Sequence, residues 1–102
     1  MEDKRQHARV PVDATFICEQ AGAPSFEARA KDISVGGMYV DASEQPAFGT
    51  QLTMIGKIPG SKKELRLPGV VRWTKPGGFG VQFGLLGAVE THLISELMKG
   101  GG

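Results

Sequence analysis

Apolar side chains fall at every second position through much of this chain, and glycine or proline interrupts each such stretch before it lengthens. Period-two alternation sets one apolar face against a core and one polar face toward solvent, the pattern of a half-buried strand. With 15 glycines and 6 prolines in 102 residues, breaks come too often for long helices. The chain therefore reads as a series of short strands joined by tight turns.

The first strand is "VPVDATFICE" (10–19), with Val10, Val12, Ala14, Phe16 and Cys18 on one face. Asp13, Thr15 and Glu19 lie on the other, and Ile17 breaks the pattern. "AGAPS" (21–25) reads as a turn. "FEARAKDIS" (26–34) then sets Phe26, Ala28 and Ala30 inward against Glu27, Arg29 and Lys31. "MYVD" (38–41) is a short third strand, "SEQPAFG" (43–49) a loop, and "QLTMIGKI" (51–58) a fourth strand with Leu52 and Met54 on one face. After the turn "PGSKK", "ELRLPGVVRWTK" (64–75) opposes Leu65, Leu67, Val71 and Trp73 to Glu64, Arg66, Val70 and Arg72. Pro68-Gly69 interrupts this fifth strand and predicts a bend or bulge there. "FGVQF" (79–83) turns Phe79, Val81 and Phe83 inward. Helical spacing occurs only at the end, where Leu86, Val89, Leu93 and Leu97 predict a helix across 87–98 ahead of "GGG".

Six antiparallel strands with one apolar face each, followed by one amphipathic helix, define an all-β fold. The expected form is a small six-stranded antiparallel β-barrel with one C-terminal α-helix across an open mouth, because closure removes exposed strand edges. The length suits a single domain at 10–98 with a core that needs no staples. Residues 1–9 are expected to form a flexible arm and 99–102 a tail.

Charge and cysteine content exclude several function classes. Twelve Lys and Arg against eleven Asp and Glu leave a net charge of +1, so no global field recruits nucleic acid. Tyr39 is the one aromatic on an expected outward face, which also disfavours an oligonucleotide-binding barrel. One cysteine forms no internal disulfide and holds no structural zinc. Cys18 reads as an inert core thiol, and His7 and His92 lie too far apart in sequence to suggest a metal site. The charged first ten residues do not resemble a signal peptide, and no apolar run reaches the roughly 18 residues of a membrane helix. A cytoplasmic protein without membrane insertion is expected. No nucleophile elbow, P-loop or metal cluster is present, so no enzymatic activity is expected.

Two short segments carry the remaining chemistry. In "KDISVGGMYV" (31–40), Asp32 and Ser34 share the inward parity of Phe26, Ala28 and Ala30. A carboxylate inside a small barrel costs several kcal/mol unless paired, so the strand is expected to leave the barrel or bulge there. Gly36 and Gly37 permit positive φ and close approach of a ligand or of another backbone segment. Asp32 and Ser34 then either hydrogen-bond their own turn or form half of a ligand site at the rim. In "RQHAR" (5–9), Arg5 and Arg9 stand four apart and point the same way whether extended or helical. Two guanidinium forks on one side can grip phosphate bidentately; a solvated basic tail is the alternative.

The two segments together resemble the PilZ domain signature: Arg-x-x-x-Arg (Arg5, Arg9) before the first strand and Asp-x-Ser-x-x-Gly (Asp32, Ser34, Gly37) at the end of the second. The strand order and "GVVRWTKPGGFGVQF" (69–83) are similar to the family's barrel, so the resemblance covers essentially the whole chain. It implies a receptor for cyclic di-GMP with no cofactor besides that ligand. The chemistry agrees: the ligand offers two phosphodiester anions to Arg5 and Arg9, and guanine N1–H and N2–H donors to Asp32. Ser34 can donate or accept, and Gly37 keeps the surface bare. Gly36 supplies turn geometry or a secondary contact. Parity predicts a core position for Trp73, whereas the resemblance brings it near the site, against a guanine. Arg72 and Arg29 are alternative outward cations beside the site, a solvated strand face being the other reading.

The resemblance also implies regulation of motility, pili, exopolysaccharide or transcription through an unidentified protein partner. Ligand would order the N-terminal arm and so create or hide the partner's surface. The alternative is a PilZ-fold interaction domain that binds its partner without nucleotide. Lys4, immediately before the first motif arginine, bears on stoichiometry. A stacked ligand dimer brings four phosphate charges together and needs an additional cation, so Lys4 favours two cyclic di-GMP molecules per chain.

Overall fold

In the computed structural model, which describes residues 9–101, six strands and one helix follow in the order β1 (Val10–Gln20), β2 (Ala23–Ser34), β3 (Gly37–Asp41), β4 (Gln51–Gly56), β5 (Leu65–Lys75), β6 (Gly78–Phe83) and α1 (Ala88–Gly101). Lys4, Arg5, His7 and all but the last residue of the expected arm lie outside the described residues. The strands close into an antiparallel barrel in the order β1-β2-β3-β6-β5-β4, with β1 pairing back onto β4.

Alternation drives this closure. Phe16, Cys18, Ala30, Met38, Val40, Met54, Leu65, Leu67, Val71 and Phe79 all turn inward and are at most 1% exposed. The turns are tighter than the sequence suggested. β1 and β2 are joined through Ala21 and Gly22 alone, Gly22 taking a φ of 77°, so β2 begins at Ala23 within the expected turn. Pro76-Gly77 closes β5 onto β6 with Gly77 at φ 88°, the conformation a type II turn demands of its third residue.

The bulge expected at Pro68-Gly69 lies elsewhere. Those residues stay in register with Thr53 and Leu52 of β4, and the slip falls at Arg72, between Val71 and Trp73. Gly69 serves packing instead, because a Cβ there would overlap the Val81 side chain.

Helix α1 touches β1, β2 and β5. Since β5 neighbours neither of the other two, the helix spans an end of the barrel and not one of its walls. Its anchor is Ile94, fully buried, flanked by partly buried Leu93, Leu97 and Met98; Val89, expected on this face, is 49% exposed. The helix also continues past residue 98 to Gly101, because extending an existing helix adds a hydrogen bond for each residue fixed. Among the described residues, no helix is long and apolar enough to cross a membrane.

Cys18 packs against Met54, with its Sγ 3.5 Å from the thioether sulfur. Burial pushes its thiol from 9.0 up to about 12. The raised value makes its contribution to stability complete below the unfolded thiol's range and lost as pH climbs through the folded one. Near pH 8.5, about where a free thiol is half ionised, iodoacetamide should leave folded Cys18 intact and label it quickly in denaturant. Rapid labelling of the folded protein would contradict this burial.

Candidate functional site

Two one-residue insertions shape the outer wall. Between Ala30 and Asp32, β2 carries an extra residue relative to β3, and β5 carries one at Arg72 relative to β6. Each insertion turns the side chains beyond it to the opposite face. Asp32 thereby leaves the inward parity of Ala28 and Ala30, while Ile33 becomes the fully buried residue. Trp73 likewise leaves the parity of Val71 and is 43% exposed, which corrects the core position its spacing predicted. The result is a lateral row of paired positions on neighbouring strands, Asp32–Tyr39–Gly80–Trp73.

At one end of this row, Arg9 Nη1 donates to Asp32 Oδ1 at 2.7 Å, so the described motif arginine already meets the motif carboxylate. Both side chains are about a third exposed, at 38% and 32%, and a pair so placed contributes about 0–1 kcal/mol. Ser34 is 2% exposed, and its Oγ accepts the Gly36 N–H at 3.1 Å. The Gly36 carbonyl in turn accepts the Phe83 N–H at 2.9 Å, tying this turn to β6. Neither Gly36 nor Gly37 uses the positive φ that glycine permits; among the described residues only Gly22, Gly49, Gly60 and Gly77 do. Gly37 is required for close approach, and the neighbour is backbone: a Cβ would overlap the Val81 carbonyl oxygen.

A hollow opens on this wall. Gly80 and Gln82 of β6 lie on its floor, Arg72 and Trp73 border it on β5, and Gly36 and Arg9 border it from the β2–β3 turn and the start of β1. Arg72, an outward cation in the sequence, lines the same hollow as Arg9; its guanidinium also lies 5.8 Å from the ring centroid of Phe48, which is 69% exposed. Alternation already set Arg72 outward; what no local signal marks is the bulge at Arg72 that brings Trp73 out beside it, because that bulge depends on pairing with β6. Arg29 is turned elsewhere. It donates to Asp13 at 2.6 Å, and this bond with its charge holds the Asp13 carboxyl below its usual range.

Two guanidinium groups and an indole around one shallow hollow suit a planar, anionic ligand. The barrel interior is filled by Phe16, Phe79, Met38 and Met54 and leaves no room for a ligand in the lumen. Among the described residues, no cluster of His, Cys, Asp and Glu is arranged to hold a metal.

The fold and this wall define a small closed antiparallel barrel with a hollow on its outer face. The chain belongs to the PilZ domain family, whose model matches residues 3–99. Among solved structures it is similar to the PilZ domain with cyclic di-GMP of YcgR from Escherichia coli, with a TM-score of 0.78 and 11% identity over 97% of this chain and 92% of that one. The PilZ domain of CeSA from a cellulose-synthesizing bacterium gives 0.72 and 20% identity, covering 91% and 96%. The Bacillus subtilis inhibitor of motility gives 0.75 and 17%; this chain is matched over 96% of its length and spans about half of that protein, 51%. A search of curated proteins finds no match.

Because the Val81 carbonyl cannot rotate away from a new methyl group, Gly37→Ala should destabilise the fold by about 1–3 kcal/mol, as overpacking does. Urea denaturation would measure it. Unchanged stability would show that Gly37 is not held by this approach.

Proposed function

We propose that this domain is a cytoplasmic receptor for cyclic di-GMP that binds on the outer wall of the barrel and carries no catalysis of its own. The observation that carries the reading is the meeting of Arg9, Arg72 and Trp73 around one hollow, in a chain that holds both PilZ motifs. The similar fold of a PilZ domain solved with cyclic di-GMP supports the same assignment.

In this reading Arg5 and Arg9 take the phosphodiester oxygens, and Arg72 adds a third cation from the opposite border. Asp32 orients Arg9 and accepts guanine N1–H and N2–H of the ligand. A carboxylate has lone pairs for both tasks, and the exposed ion pair is weak enough for phosphate to compete. Trp73 offers a face to one guanine. Ser34 and Gly36 shape the turn that carries Asp32, and Gly37 secures that turn to β6. Ligand draws the N-terminal segment against the wall, and a protein partner reads the surface so formed.

Calorimetric titration with cyclic di-GMP, GTP and a short single-stranded oligonucleotide tests the assignment. Binding of cyclic di-GMP alone is expected; no heat with it would sink the receptor reading and favour a domain that binds its partner without nucleotide. Arg5→Ala and Arg9→Ala should each cost roughly 1.5–3 kcal/mol, about ten- to hundredfold in affinity, because each removes a charge-assisted hydrogen bond. Stability should scarcely change, so a collapsed melting point in Arg9→Ala would count against the assigned role. Asp32→Ala should lose discrimination against the inosine analogue, which lacks the exocyclic amine; retained discrimination would make Asp32 an arginine-orienting group only.

The same titration addresses stoichiometry. With Lys4 as the additional cation, two ligand molecules per chain are expected, and Lys4→Leu should shift binding toward one. Saturation of the unmutated protein at one ligand would reject the stacked dimer and leave the receptor assignment standing.

A further inference from the structure

Tyr39 and Trp73 form an offset parallel stack, with ring centroids 5.3 Å apart and planes within 3°. They come from strands that do not pair with each other: β3 and β5 flank β6, and both residues are register partners of Gly80. Side chains two strands apart stand roughly 10 Å apart at their backbones, so they meet only by leaning together across the strand between. Glycines on β6 make that possible. A Cβ at Gly80 would overlap the indole edge at Nε1 and Cε2, and one at Gly78 would overlap the phenol end of Tyr39. Lys75 Nζ lies 4.9 Å from the Tyr39 ring centroid and adds a cation–π contact. Burial, with the Asp41 and Asp32 carboxylates nearby, raises the Tyr39 pKa and keeps the phenol neutral.

Trp73 borders the hollow and Tyr39 does not. One face of the indole is therefore spent on Tyr39, and the side toward the hollow remains for a ligand. We propose that Tyr39, seated in the glycine notch of β6, is a positioning residue that fixes the plane of Trp73 so that the indole receives a purine base. An unbraced indole on an exposed strand samples several rotamers and loses that freedom on binding; bracing it beforehand removes the cost from the binding step. The proposal rests on the cyclic di-GMP reading and assigns to Tyr39, Gly78 and Gly80 a part in it that neither motif contains.

Trp73 and Tyr39 are the chain's single tryptophan and single tyrosine, so tryptophan fluorescence and the tryptophan and tyrosine bands of the near-ultraviolet circular dichroism report on this stack. The test uses the full chain, titrated calorimetrically with cyclic di-GMP, in the parent and in Tyr39→Leu, Tyr39→Phe, Gly80→Ala and Trp73→Ala. Tyr39→Leu and Gly80→Ala should each weaken binding about tenfold, the scale of one lost base stack, and alter the tryptophan dichroism of the empty protein. Tyr39→Phe keeps the ring and should restore both affinity and dichroism. Gly80→Ala meets only the movable edge of a side chain, so it should stay folded; if it does not, the surface substitution Tyr39→Leu decides. Parental affinity in Tyr39→Leu, with Trp73→Ala weakened, would overturn the positioning role and leave the receptor reading intact. Parental affinity in Trp73→Ala would overturn it too. A parent that binds no cyclic di-GMP would instead fail the receptor reading, and this proposal with it.

Discussion

An extra residue in a strand turns every side chain beyond it to the other face of the sheet, and the outer wall of this barrel depends on two such insertions. The slip before Asp32 brings a carboxylate out of an apolar interior where its charge would be costly. The slip at Arg72 brings Trp73 out beside it. With unbroken ladders both residues would point into a lumen already filled by Phe16, Phe79 and the methionines. The insertions therefore relieve the core of a charge and an indole, and in the same step create the row that faces solvent.

What occupies the middle of that row is as important as what flanks it. β6 runs beneath the site with Gly78 and Gly80 turned outward and Phe79, Val81 and Phe83 turned inward. The inward residues hold the strand in the core. The outward glycines leave a floor low enough for side chains from β3 and β5 to meet above it. Rigidity below and space above are both needed to hold aromatic and guanidinium groups in a fixed relation, and a strand buried on one side and bare on the other supplies them.

Charge is distributed with the same economy. Arg29 is tied to Asp13 and Arg66 to Glu19, so these cations are matched on the barrel surface. Arg9 is also matched, by Asp32, but unlike the other two it lines the hollow. Arg72 rests near the Phe48 ring, and among the described residues it pairs with no carboxylate. A near-neutral chain thus gathers local positive character on one wall without the global field that would attract nucleic acid.

The number of strands, the all-β class, the inward faces of β1 and β6 and the two motifs were legible in the sequence, because alternation and glycine-proline punctuation act over a few residues. The sequence also required that Asp32 leave the barrel, since a buried unpaired carboxylate is too costly. It did not reveal where the ladder slips. Pro68-Gly69 looks like a break yet stays in register, whereas nothing around Arg72 marks the true one. A bulge is a property of two paired strands, settled by how β5 and β6 jointly fill the core, so the outward position of Trp73, its contact with Tyr39 and the placing of Arg72 and Arg9 on one hollow were decided only by tertiary structure. The burial of Ile94 over Val89 has the same origin: helical spacing defines a broad apolar face, and the shape of the barrel's end selects which residue on it goes deepest.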